Sequence, residues 1–403
     1  MRVGLSTSVI ERGQTGVAQY VFALTRSLLA HTSEHEFILF VLEKDLPFFA
    51  FAQPKMRLVA VPEEFRPPVK NILWHQRHLP RLARLEELDV LHVPSYRRML
   101  WRRPCALVAT IHDLAPFHVR RKYDWMRMFY GRVVARALAH RQHEIIAISA
   151  NTARDIQNYF RIPRDRLTVV HNGLDHEHFS PGVPAKAHER VASRYGLQQP
   201  FLLYVARLEH PGKNHLRLLE AFNQFKAETR LPWQLVLAGS DWHGAEVIHA
   251  AARQSPFASD ILSLGFVAEA DLPDLYRAAE LFVYPSLYEG FGLPPLEAMA
   301  CGCPVLCSGS GSLREVVGGA AITVEPRNTA ELTSQLKRLA SDPTLLKRLR
   351  ADGFKQAQRF DWQCTASSTL EVYARALRRR LRKPAEGEFK KPAFPLARIF
   401  HRW

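Results

Sequence analysis

Residues 281–306 read LFVYPSLYEGFGLPPLEAMACGCPVL. The apolar run Leu281-Phe282-Val283-Tyr284, closed by Pro285 and Ser286, predicts a buried parallel strand with a break at its carboxyl end. Glu289-Gly290-Phe291-Gly292-Leu293 predicts a glycine-bearing loop. Pro294 and Pro295 suit a first helical turn, where proline is tolerated. Leu296-Glu297-Ala298-Met299-Ala300 continues the helix until Gly302 and Pro304 end it. Strand, glycine loop and helix in this order gather free N–H groups and the positive end of a helix dipole at one point. That is an anion site.

Two carboxylates frame the loop. Glu289 precedes the glycines and Glu297 lies about two turns into the helix. Neither can bind a phosphate, but both can accept hydrogen bonds from hydroxyl groups beside one. A diphosphate on the loop amides, with one carboxylate facing a sugar and the other a ribose, is a chemically sensible set. Taken singly, each glutamate reads as an ordinary surface residue.

Upstream, Phe201–Ala206 predicts a buried strand. Arg207 follows it, and Lys213-Asn214 follow a turn containing Pro211-Gly212. A guanidinium binds phosphate oxygens in pairs and an ammonium adds a point charge. Alone, these cations read as surface charge. At a strand end beside the glycine loop they suit a diphosphate and its growing charge on departure. Trp233–Ala238 is a further strand, Ile261–Leu264 another ending in Gly265-Phe266-Val267, and Asp271–Ala279 a short helix. Pro304–Cys307 and Ala321–Val324 are strands, and Thr329–Ala340 and Pro343–Phe360 helices.

The first part of the chain repeats the alternation. Met1–Ile10, Glu36–Leu42, Met56–Val61, Leu88–Pro94, Ala106–Ile111 and Glu144–Ile148 read as strands. Gln19–Thr32, Asn71–Glu87 (interrupted near Pro80) and Asn151–Phe160 read as helices. This pattern predicts parallel sheets covered on both faces. Glu11–Ala18 is a glycine loop after the first strand, but Gly13 and Gly16 do not form the dinucleotide fingerprint, and no acidic residue follows at the distance an NAD ribose requires. His112-Asp113-Leu114 sits at the carboxyl end of a strand, the ligand edge of such a sheet; a core or capping histidine is the plainer reading.

At 403 residues the chain is long enough for two domains. The expected division is 1–180, 181–360, a closing helix 361–383 and a basic tail 384–403, poorly ordered in solution. No apolar run reaches transmembrane length, and the N-terminus enters a strand without signal-peptide features, so a cytoplasmic protein is expected. Cys105, Cys301, Cys303, Cys307 and Cys364 lack zinc spacing and read as small buried residues of a reducing compartment. His176-Glu177-His178 has no partner group, so no metal site is expected. The net charge of +16 favours an anionic partner. Ten basic and two acidic residues lie from Arg375 onward, and seven basic residues with one acid, interleaved with aromatics, lie in Val119–His143. That composition suits the inner face of a cytoplasmic membrane or a solvated helix. No nucleic-acid motif accompanies it.

Glu289-GFGLPPL-Glu297 resembles the E-x7-E motif of the retaining GT-B glycosyltransferases of family 4, and the likeness extends from Arg2 to about Arg380. It implies an α/β fold of two Rossmann-like domains facing across a cleft. The second domain would hold a nucleotide-sugar donor through Arg207, Lys213 and the amides of Phe291, Gly292 and Leu293. Glu297 would take the ribose, Glu289 the sugar, and the turn at Gly265 and Val267 the base. Gly16 would approach the diphosphate and His112 the sugar from the first domain. Asn172, Gly173, Asp175, Phe179 and Pro181 meet a further family pattern. Relatives carry an acid near Gly319, and this chain does not. No Asp-x-Asp motif occurs, so activity without a divalent cation is expected. The resemblance implies transfer of a hexose of the mannose, rhamnose or glucose type, with GDP-mannose or UDP-glucose the favoured donor, to a glycan or polyprenyl-linked acceptor in surface-polysaccharide assembly. A GT-B epimerase or phosphorylase, or an inactive scaffold, are the rivals; product formation separates them.

Overall fold

The computed structural model describes residues 1–13, 15–118 and 129–382. Residues 119–128 of the basic segment and the tail from 384 lie outside them.

Two parallel sheets form, one from each part of the chain. The first holds β1 (Arg2–Ser6), β2 (Glu36–Leu42), β3 (Arg57–Val61), β4 (Val90–Val93), β5 (Ala106–Ile111), β6 (Glu144–Ala147) and β7 (Leu167–Val169), in the order β3-β2-β1-β4-β5-β6-β7. The second holds β8 (Phe201–Val205), β9 (Gln234–Ala238), β10 (Ile261–Gly265), β11 (Leu281–Tyr284), β12 (Val305–Ser308) and β13 (Ile322–Val324), in the order β10-β9-β8-β11-β12-β13. Every described pairing within these sheets is parallel. Helices cover both faces, so the central strands are buried; all six residues of β5 and all four of β11 are buried, while the edge strands β3 and β7 are partly exposed.

Strand order reverses between β1 and β4, and again between β8 and β11. Beyond the carboxyl ends of strands at such a reversal, flanking loops splay apart and leave a crevice. The loop after β8 carries Arg207 and Lys213, and the loop after β11 carries Glu289. His112 follows β5.

The first helix runs Gly16–Leu28, three residues earlier than its expected start. Thr15 caps it by accepting from the Ala18 N–H at 3.2 Å. Gly16 is therefore the first helical residue and not part of a loop. Cys105, Cys301, Cys303 and Cys307 are buried as expected, but Cys364 is exposed because it lies on the outer face of the last helix.

That last helix, Trp362–Leu381, returns to the first sheet and packs along β4, β5 and β6. Asp361 caps it, accepting from Gln363 and Cys364 N–H groups. Its start is pinned to the first domain: Leu174 donates its N–H to Phe360 O, and a Cβ on Gly173 would lie 2.2 Å from the Trp362 nitrogen. Midway, Tyr373 OH meets His92 Nδ1 at 2.8 Å; His92 Nε2 meets Thr110 Oγ1 at 2.8 Å, and Tyr20 OH meets the same Thr110 at 3.1 Å. Its end reaches the opposite edge of the sheet, where Arg379 bonds Glu144 and Asp165 and Arg380 donates to Pro104 O.

Candidate active site

Glu289 is built into the second domain. Lys213 Nζ donates to its Oε1 at 2.6 Å, Tyr284 OH donates to the same oxygen at 3.0 Å, and Lys213 Nζ also reaches Tyr284 OH at 3.2 Å. Tyr284 closes β11, so the strand itself supplies the partner. Burial alone would push the Lys213 pKa down, but Glu289, with Tyr204 and Glu209 adding to it, holds it up. Lys213 is therefore a cation directly paired with Glu289, in a position that shields both from bulk water.

Glu297 sits on the helix Leu293–Ala300, and its Oε2 accepts from Tyr276 OH at 2.8 Å. Burial pushes its pKa up to about 7, with the Tyr276 bond only partly opposing. The N–H groups of Phe291, Gly292 and Leu293 donate to no acceptor among the described residues. They stand at the start of that helix, where Gly292 has φ +104°. This is an unfilled trio of donors between the two glutamates.

The first domain closes directly over this loop. A Cβ on Gly290 would lie 2.0 Å from His112 O and 2.9 Å from the Asp113 side chain. Ser149 Oγ donates to Gly290 O at 2.8 Å. Glu315 of the second domain accepts from the N–H groups of Ala150 and Asn151, at 2.8 and 3.2 Å, and pairs with His171 at 2.7 Å. Tyr288 OH donates to Asp155 Oδ2, which also meets His118 Nε2 at 2.8 Å.

His112 Nε2 lies 3.2 Å from Pro94 O, and the Tyr20 ring meets the imidazole edge-on at 4.8 Å. Burial pushes its pKa down to about 4, so the ring is neutral near pH 7. Asp113 does not bond His112; it accepts from the Ala115 N–H and caps the following turn. Arg207 makes no ion pair or side-chain hydrogen bond among the described residues. Its guanidinium lies over the Trp242 ring, 4.6 Å from the centroid.

Of the residues predicted from sequence, Lys213, Glu289, Phe291, Gly292, Leu293 and His112 meet at the domain boundary, and Glu297 lies within the adjoining helix. Gly265 closes β10 and Val267 follows it, on the far side of β8, and the Gly265 carbonyl is taken by the Gly239 N–H at 2.8 Å. Gly16 is exposed, and a Cβ there would meet nothing within 4 Å. His176 and His178 bond the carbonyls of Phe360 and Glu269 and form no metal cluster among the described residues. Sequence reasoning missed Tyr276, Tyr284, Ser149, Glu315 and Trp242. The tyrosines read as core residues, and only the fold sets them beside the glutamates.

Residues 14–178 match the family profile Glycosyltransferase Family 4, and residues 186–356 match Glycosyl transferases group 1. The O-antigen chain mannosyltransferase B of Escherichia coli is 33% identical over 302 residues, 75% of this chain and 78% of that protein. Among solved structures, a sucrose-phosphate synthase from Thermosynechococcus elongatus superposes with a TM-score of 0.74 at 21% identity, covering 93% of this chain and 98% of that one. Anabaena HepE, solved in complex with UDP and glucose, gives 0.73 at 18% identity, covering 93% and 99%.

Proposed function

The chain belongs to the group 1 glycosyltransferases of family 4, with the GT-B fold, and from that premise we propose that it transfers mannose, with retention, from GDP-mannose to a growing surface glycan. The observation that carries this reading is the buried Lys213–Glu289 pair beside three unused amides, closed over by His112. The named activity of the Escherichia coli relative favours mannose.

In this reading Arg207, Lys213 and the amides of Phe291, Gly292 and Leu293 hold the diphosphate. Lys213 and Arg207 offset the negative charge that grows on it as the glycosidic bond breaks. Glu297 accepts from the ribose hydroxyls, and its ionised form is the better acceptor. Glu289 accepts from sugar hydroxyls, and neutral His112 contributes a hydrogen bond from the other side. The turn at Gly265 and Val267 faces the base. Gly16 lets the start of the first helix approach the diphosphate. The acceptor hydroxyl attacks from the face that the diphosphate leaves, and a diphosphate oxygen takes its proton. The two cations supply the positive charge that a divalent ion supplies elsewhere, so turnover without one is part of the proposal.

The acceptor is a glycan carried on a lipid, and the enzyme works at an anionic membrane. No helix among the described residues is long and apolar enough to cross one. Support comes from the amino-terminal edge of the first sheet and the end of the last helix, where Arg102, Arg103, Arg164, Arg378 and Arg380 are exposed, as is Trp101 at 54%. Equal sedimentation with anionic and neutral liposomes would dismiss the membrane arm.

The donor arm is tested by thermal shift with GDP, UDP, ADP and dTDP and their sugars, with and without EDTA, followed by product analysis with a mannan acceptor. Ligand at 100 times its dissociation constant adds about 2.7 kcal/mol. Stabilisation by GDP that survives EDTA and fails in Glu297→Ala supports the reading. Stabilisation by UDP alone replaces mannose with a UDP-borne sugar. Consumption of donor without acceptor points to an epimerase.

A further inference from the structure

Trp242 is not a core residue. It is 53% exposed, in the loop after β9, while the large aromatics of this domain are otherwise mostly buried. Its backbone is nonetheless fixed. Leu208 donates its N–H to Ser240 O at 3.0 Å, Trp242 donates to Leu208 O at 3.1 Å, and His210 donates to His243 O at 3.0 Å. The loops after β8 and β9 therefore continue the ladder past the ends of their strands. Gly239 permits this: a Cβ there would lie 2.0 Å from Ala206 O. The ladder sets Trp242 beside Arg207, and the Arg207 guanidinium lies over the indole.

The choice of partner has a chemical consequence. The arginines that this chain holds with carboxylates, such as Arg190 on Asp274, have one bidentate edge of the guanidinium, Nε with one Nη, already occupied. A carboxylate beside Arg207 would also compete with any incoming phosphate. An aromatic face attracts the cation through the ring quadrupole and leaves the plane of the guanidinium untouched. Lys213 is held the other way, by Glu289 at 2.6 Å. The site thus has one cation neutralised in advance and one that is held but uncommitted.

We infer that Trp242 is a positioning residue, whose indole face presents the Arg207 guanidinium to the donor's diphosphate with its N–H donors free. This rests on the reading of Arg207 as a diphosphate ligand. The rival is that the exposed indole stacks on the nucleobase and Arg207 merely lies against it.

Calorimetric titration of the full chain with GDP, and displacement of GDP by guanosine, separate the two for the wild type, Trp242→Phe, Trp242→Ala, Arg207→Ala and the double variant. Trp242→Ala is expected to weaken GDP about fivefold, the size of a partly exposed cation–π contact. Trp242→Phe should stay within about twofold of wild type, and guanosine should be unaffected by either. The double variant should bind GDP no more weakly than Arg207→Ala, because the indole acts only through the arginine. Multiplying losses in the double variant, or a loss for guanosine equal to that for GDP, would overturn the inference while leaving the donor site intact. If neither GDP nor UDP binds the wild type, the donor-site reading falls first and takes this inference with it. Melting temperatures close to wild type, expected for a half-exposed side chain, exclude misfolding as the cause.

Discussion

Lys213 Nζ lies 2.6 Å from Glu289 Oε1, and both side chains are largely shielded from solvent. The two residues belong to loops after different strands, β8 and β11, which are neighbours only because the strand order reverses between them. The pair therefore joins the diphosphate side of the site to the sugar side.

Removing either partner leaves the other charged and mostly buried. Lys213→Ala and Glu289→Ala should each cost about 3 kcal/mol of stability. Lys213→Met with Glu289→Leu should recover most of it, since an apolar pair of similar volume replaces the ions. Activity should be lost in all three. Chemical denaturation measures the first effect and turnover the second; recovered activity in the double variant would remove both residues from the reaction.

Glu297 gives stability an unusual pH slope. Its pKa is raised from the ordinary carboxylate value to about 7. Between those values the folded protein binds more protons than the unfolded chain, so this group's contribution falls as pH rises and levels off above 7. Glu297→Gln should lose that slope, so its stability relative to wild type increases from pH 5 to 8. Donor affinity should run oppositely in the wild type, improving as the carboxylate ionises. GDP-mannose is the right probe, because its diphosphate does not titrate there. A pH-independent affinity would separate Glu297 from the ribose.

The buried histidines work in the other direction. Burial pushes His75 and His92 down to about 3 and His112 to about 4. Each folded-state value lies below the unfolded one, so their contribution is complete above about 6.5 and is lost as pH falls towards 3. Acid titration followed by circular dichroism should show cooperative unfolding in that window. His92→Gln should move the midpoint to lower pH. Because His112 stays neutral, the pH–rate profile should have no limb from it above pH 5.

Gly290→Ala tests whether the closed arrangement is required. The added methyl would meet His112 O, a backbone atom of the other domain. Each domain should fold, and GDP should bind the second domain within about tenfold of wild type, while transfer falls by more than about 10²-fold. Small-angle scattering should show a larger radius of gyration. Wild-type transfer rates in this variant would mean that the two domains need not meet here.

Much of this was legible before folding. Parallel strands buried on both faces announce themselves as short apolar runs, and the strand–loop–helix at 281–300 keeps its chemistry within twenty residues. Glu289 and Glu297 could be singled out because their spacing is local. Tyr284 and Tyr276 could not, since an apolar-looking tyrosine in a strand or short helix gives no sign of what its hydroxyl will meet. In sequence Gly290 belongs to a phosphate loop, yet the strongest demand for glycine comes from His112, far off along the chain. Trp242 and Arg207 are paired by a ladder that continues beyond its strands, and no periodicity records that. Gly16 shows the reverse case: its glycine is conspicuous in the sequence, and nothing in the protein crowds it.

The closing helix also measures the molecule. It starts at Trp362, whose ring packs near Tyr20 and thus close to His112, and it ends among the arginines at the opposite edge of the sheet. Twenty residues at 1.5 Å each make about 30 Å. An enzyme resting on a bilayer by that basic end would hold its cleft like a lamp on a post, well clear of the headgroups. Sugars attached directly at the surface would lie beneath its reach, and the free tip of an already long chain would lie within it.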